Sequence, residues 1–333
     1  MSARALLATL LGLAALAAAA AATWAPATVS MPVFQVGPHS WYVQGVLEDA
    51  SRANQGFMSN AGFVITPAGV VVFDALGSPA LAERLLAEIR RRTEQPVRRA
   101  IISHYHADHF YGIPALRAAG AEIWAPAAAR HYLHSEAAAR RLAERRGTLG
   151  PWLGADFALP LPDRWVTGDE QFELGGVRFS LTHIGPGHAP EDWVMKVEPD
   201  EVLFAGDTVY AGRVPFVGEA DTAAWLRAIE RLLAIPARVL VPGHGPASHE
   251  PRVDLTLTRD YLAFLRAEMQ RAVADFLSFD EAYARIDWRR FAHLPTFDAA
   301  NRGNAYNVFL QMEQAALEGR GADRDPHSTN QGD

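Results

Sequence analysis

The chain has 333 residues, 49% hydrophobic and 21% charged, proportions that exclude a disordered or low-complexity protein and allow a large buried core. A formal charge of -7 argues against a nucleic-acid partner, because phosphate binding leans on clustered Lys and Arg. The absence of cysteine rules out disulfides, a thiol nucleophile, thiolate metal ligands and lipid attachment through an N-terminal Cys, while remaining compatible with an oxidising periplasm.

Residues 1–25 read as a secretory signal peptide: Arg4 supplies the positive start, residues 5–22 are an apolar run almost free of polar side chains, and small residues close the segment. An uncleaved anchor is the competing reading, but the run is near the lower length limit for a bilayer span. Cleavage is the expectation, with a periplasmic or secreted product and no membrane contact afterwards. One domain, 33–317, follows, since no internal repeat and no long linker divides it. Strands are expected at 41–47, 61–66 and 69–73, which are rich in Val and aromatic residues and separated by Pro and Gly. A helix at 80–92 ends in Arg90-Arg91-Arg92, read as a solvated helix end. Strands at 97–103 and 121–125 and a helix at 127–146 come next. A second half begins near Trp165, with strands at 177–184, 193–197, 202–205 and 239–241 and an amphipathic helix at 222–235. Helices are expected at 255–276, 279–286 and 305–317, then a polar, disordered tail at 318–333.

The strand at 97–103 runs straight into His104-Tyr105-His106-Ala107-Asp108-His109. Alternate side chains leaving a strand end converge, while the last pair points to a neighbouring position, so two metal positions become possible. Imidazole suits zinc, a carboxylate adds charge, and three or four such ligands per ion leave room for a water. Three further polar residues sit beside glycine at strand ends, in Gly187-His188, Gly206-Asp207 and Gly243-His244. Each alone would be an ordinary loop residue; their order after the cluster reverses that weighting.

HYHADH, then PGH at His188, LFAGDT at Asp207 and VPGHG at His244 resemble the motif series of the metallo-β-lactamase superfamily, whose opening Asp is matched by Asp74 in VVFDA. The resemblance spans residues 41–245 and implies an α/β fold, an αββα four-layer sandwich with the metals at one edge between two sheets, here followed by C-terminal helices. It implies two Zn2+, one held by His104, His106 and His188, the other by Asp108, His109 and His244, with Asp207 bridging. Asp74 would orient a ligand histidine by hydrogen bonding. Asp207 is similar to the bridging ligand of glyoxalase II, and the lack of Cys excludes the cysteine-bearing β-lactamase classes. GDTVYAGRVPFVGEAD and NRGNAYNVFLQME resemble secreted quinoprotein relay system zinc metallohydrolases, related to SoxH-type proteins of sulfur-oxidising bacteria.

The expected activity is hydrolysis of a small carbonyl substrate, a thioester, ester, lactone or β-lactam, by a hydroxide shared between the metals and oriented by the catalytic Asp108. Two alternatives stay open: a persulfide dioxygenase-like enzyme with one Fe2+, and a periplasmic accessory or binding protein of a quinoprotein or sulfur-oxidation system. The oligomeric state is not read from the sequence. Candidates for substrate recognition are Tyr105, Tyr210, Arg213, Phe216, Asn304 and Tyr306. Arg213 pairs either with a substrate carboxylate or in a structural salt bridge, and residues 304–307 read first as a cap of the C-terminal helix. Trp152 and Trp165 read as core or loop anchors.

Overall fold

The computed structural model describes residues 24–322, so the expected leader lies almost wholly outside the described residues, as does the tail beyond 322. Among the described residues no helix is long and apolar enough to cross a membrane. The first half contains β1 (Val33–Gln35), β2 (Ser40–Val43), β3 (Ala61–Thr66), β4 (Gly69–Phe73), α1 (Pro79–Arg90), β5 (Val97–Ile101), α2 (Ala107–Phe110), α3 (Ile113–Ala118), β6 (Glu122–Pro126), α4 (Ala129–Leu133), α5 (Glu136–Leu153) and β7 (Arg164–Val166). Its seven strands form one sheet in chain order, antiparallel up to β4 and parallel from β4 to β7. The second half contains β8 (Glu170–Leu174), β9 (Val177–His183), β10 (Trp193–Val197), β11 (Val202–Tyr210), α6 (Thr222–Leu233) and β12 (Val239–His244), and its sheet runs β12-β11-β10-β9-β8. The chain then turns helical in α7 (Pro251–Ala274), α8 (Phe279–Arg285) and α9 (Phe297–Ala322).

The two-residue period of a strand sorts side chains into layers. In β4, Val71 and Phe73 face the second sheet, whereas Val70 and Val72 face the helices. In β11, Val202 and Phe204 point inward between the sheets while Leu203 and Ala205 meet the outer helices. Leu81, Leu85 and Leu116 cover one outer face, and Trp225, Tyr261 and Phe309 cover the other, which completes the αββα sandwich. Phe204 sits against Phe73 at a ring distance of 5.7 Å and occupies the gap left by Gly62. Its truncation to Ala would cost about 3–5 kcal/mol.

Several expected boundaries shift for local reasons. The helix expected at 127–146 is two helices, because Ser135 accepts from the backbone N–H of Ala138 and starts α5 afresh. Trp165 belongs to β7 in the first sheet, so the second half begins at Glu170; a three-residue strand carries too little periodicity to show this. The last helix begins at Phe297 and continues to Ala322, so residues 318–322 are helical where a disordered tail was expected.

Candidate metal centre

The seven expected ligands come together where strands end. β4 and β5 run parallel, so Asp74, one residue past β4, lies beside Ser103, two past β5. Asp74 accepts from the Ser103 backbone N–H at 2.7 Å and from its hydroxyl at 2.9 Å, with φ of +65°, a left-handed conformation that Asp tolerates better than most side chains. His109, in the single turn of α2, donates Nδ1–H to the same carboxylate at 2.9 Å. The Ser103 hydroxyl, having given its proton to Asp74, accepts from His104 Nδ1 at 2.9 Å. His244 ends β12 and donates Nδ1–H to the carbonyl of Met58 at 2.8 Å. In each of these histidines the Nδ1 bond fixes the tautomer and leaves the Nε2 lone pair for a ligand.

The free donors form two adjoining sets: His104, His106, His188 and Asp207 in one, Asp108, His109 and His244 in the other, the ligand atoms within each lying within 4.8 Å of one another. His188 Nε2 and His106 Nδ1 converge to 2.7 Å. Asp207 reaches both sets, with Oδ2 3.4 Å from His188 Nε2 and Oδ1 3.1 Å from His109 Nε2. Asp108 Oδ2 lies 3.3 Å from His244 Nε2 and 3.5 Å from His109 Nε2. A bulge at Gly206, φ +51°, breaks the β11–β12 register and turns Asp207 toward the centre. A Cβ on Gly243 would overlap the Asp207 carboxylate, so the backbone of β12 must pass it without a side chain.

These residues fit divalent metal ions. The Nε2 atoms of His104 and His109 and Oδ1 of Asp207 are buried without a hydrogen-bond partner, an arrangement costly in a protein interior unless an ion takes it up. The donors are nitrogen and oxygen only, which suits zinc and similar ions. Burial holds His104 well below the usual imidazole range, His106 down to about 4 and His188 down to about 3, so the three imidazoles of the first set are free to ligate. Burial also depresses His109, but the carboxylates of Asp207, Asp108 and Asp74 outweigh it and push the ring well above its ordinary value.

A cavity of about 200 Å3 opens on the centre, bounded by His106, Asp108, Asp207 and His244. Of the recognition candidates, Tyr210, Arg213 and Phe216 line it. The Tyr210 hydroxyl donates to Asp207 Oδ2 at 2.5 Å and its ring stacks on His244 at 5.0 Å. Tyr105 instead is buried and stacks on Tyr132 at 4.6 Å, and Tyr306 packs edge-on against Phe279 at 5.0 Å, away from the cavity. The capping role expected of residues 304–307 is corrected: they lie inside α9, which starts seven residues earlier, and Asn304 binds the loop before α6. Trp152 and Trp165 pack at the margin of the first core.

Sequence reasoning missed the residues that hold the ligand loops in place. Asn60 is buried and its amide donates to the carbonyls of Pro242 and Gly245, while its oxygen accepts from Gly45, which anchors the turn carrying His244. Ser59 donates to the carbonyl of Asp108 at 2.6 Å. Asp192 accepts from the Ala189 backbone beside His188, and burial raises its carboxyl to about 8. A lone Ser-Asn pair before a strand carries no pattern that would have marked it.

Known proteins resemble this chain in sequence and in fold. The chain is 23% identical over 258 residues to a linear primary-alkylsulfatase from Pseudomonas sp. (strain ATCC 19151), covering 66% of this chain and 48% of that enzyme, so it spans about half the relative's length. The structure of the sec-alkylsulfatase Pisa1 from Pseudomonas sp. superposes with a TM-score of 0.67 at 21% identity, covering 89% of this chain and 52% of the other. A metallo-beta-lactamase from Pontibacter korlensis matches with a TM-score of 0.54 at 24% identity, covering 70% of this chain and 99% of that one. The family profile of the Metallo-beta-lactamase superfamily matches residues 54–244, more than half of the sequence, and the chain belongs to that superfamily.

Proposed function

We infer that the protein is a dinuclear zinc hydrolase acting on a small carbonyl substrate, carried by one observation: seven nitrogen and oxygen donors converge in two adjoining sets at an open cavity. Bound by these two sets, zinc would supply a water acidic enough to serve as nucleophile near neutral pH and a Lewis acid for the substrate oxygen. The protein's own part is positioning. Asp108 faces the cavity and orients the nucleophile, while Tyr210 fixes the Asp207 carboxylate through its hydroxyl. Phe216 and Met58 supply apolar lining to the same cavity. The second set, Asp108, His109 and His244, favours two metals over a single iron.

Thioesters, lactones and β-lactams belong on the substrate panel, and the relatives' names add sulfate esters. The leader-like residues 1–25 support a periplasmic or secreted location. The test is elemental analysis of protein exported from cells, followed by that panel. Two zinc per chain and hydrolysis of one class are expected; one iron per chain with oxygen uptake on a persulfide would sink the reading.

A further inference from the structure

In this acidic chain three arginines gather at one cavity: Arg141 and Arg145 from α5, and Arg213 from the loop after β11. Two have local counter-ions. Arg141 meets Glu144 at 2.8 Å, and Arg213 Nη2 meets Asp49 at 3.1 Å. Arg145 has no ion pair among the described residues, so the cavity wall keeps a surplus positive charge beyond its metal ligands.

Arg213 is the more telling member. It is 2% exposed, and its Nε and Nη1 are buried with no hydrogen-bond partner. Holding a desolvated guanidinium with unmet donors is costly unless a partner arrives. The loop that carries it has little freedom to relieve the cost. Asn304, Asn307 and Gln311, on one face of α9, donate to the carbonyls of Pro215, Gly218 and Ala220, and Asn304 also accepts from Val217 N–H. The loop is therefore preset, and the guanidinium stays at the cavity wall. Beside it, Phe216, Met58 and Ala300 supply apolar surface.

We propose that the arginine side of the cavity binds an oxyanion carried by the substrate, a carboxylate or sulfonate separated by a short apolar spacer from the group held at the metals. The planar fork of a guanidinium matches such an anion with paired hydrogen bonds. This substrate class rests on the hydrolase reading for its purpose, but the binding site can be tested apart from it.

The zinc-supplemented full chain is titrated calorimetrically with butyrate, succinate and 3-sulfopropionate. All three present one carboxylate to the metals, and the latter two add a second anion at the far end. Binding of at least one dianion about tenfold tighter than butyrate is expected, with Arg145→Gln reducing that ratio to within about twofold. The same ratio in kcat/KM is read with matched nitrophenyl esters of butyrate and hemisuccinate. Arg213→Gln is the second variant, since its buried site makes misfolding a risk that the half-buried Arg145 does not share. Equal affinity for all three probes, or a preference unchanged in both variants, overturns the proposal. A preference that falls in Arg145→Gln while no ester is cleaved supports the anion site and refutes the hydrolase reading instead.

Discussion

The two halves of the metal centre are built from different chemistry. His104, His106 and His188 form an imidazole set depressed first by burial and then by neighbouring positive groups, His109 among them, with Asp207 as their carboxylate. His109 and His244 stand among carboxylates: Asp207 and Asp108 face both, and Asp74 backs His109, so both rings are raised despite burial. The imidazoles of the first set are held low and free to ligate, whereas those of the second are held high, so an ion there competes with protons. Two positions a few ångströms apart thus differ in what loading them requires.

Asp207→Ala tests what the sets share and should have the largest effect. Because Asp207 touches both, both ions should be lost or weakened, with activity falling beyond the roughly 10–100-fold cost of removing an outer partner. Retention of two metals per chain by elemental analysis would refute the bridging role. Asp74→Asn separates the sets. It disturbs the Nδ1 partner of His109 directly, so affinity at the second position should drop by about 10–100-fold while the first position, measured by competitive chelator titration, changes less.

The pH dependence follows from the same contrast. His109 is held well above the ordinary imidazole value and His244 above it, so metal uptake at the second position competes with protons more than uptake at the first. Affinity at the second position should therefore strengthen as pH rises and weaken as it falls. Calorimetry at pH 7 in buffers of different ionisation enthalpy should assign proton release to the second equivalent of metal. Release confined to the first equivalent would reverse the assignment.

Asn60→Ala gives the smallest effect at the centre and the clearest effect on stability. It strips a buried amide from the carbonyls of Pro242 and Gly245 and should lower unfolding free energy by about 1–3 kcal/mol, read from the denaturant midpoint at constant slope. Metal affinity should fall only at the position served by His244.

The candidate site was legible in sequence to different depths. His104, His106, Asp108 and His109 lie within six residues of one strand end, so local geometry alone brings them near each other. His188, Asp207 and His244 were marked by neighbouring glycines, whose use became visible in the bulge at Gly206 and the tight passage of Gly243 past Asp207. Asn60, Ser59 and the Met58 carbonyl act across separations of 49 to 186 residues, and nothing local distinguishes them from ordinary polar loop positions. Asn304 shows the opposite error: its type suits a helix cap, but the helix begins earlier and tertiary contact assigns the amide to another loop.

The sequence by itself marked the strands and the candidate donors, because strand periodicity and strand-end motifs are local properties of the chain, while the sandwich and the division of the donors into two sets came from the family resemblance that those motifs carry. Only the tertiary structure decided which donor nitrogens face inward, how the protons divide between the two sets, and which arginine is buried with unmet hydrogen bonds. Those outcomes depend on desolvation and on partners distant in the chain, which no local pattern encodes.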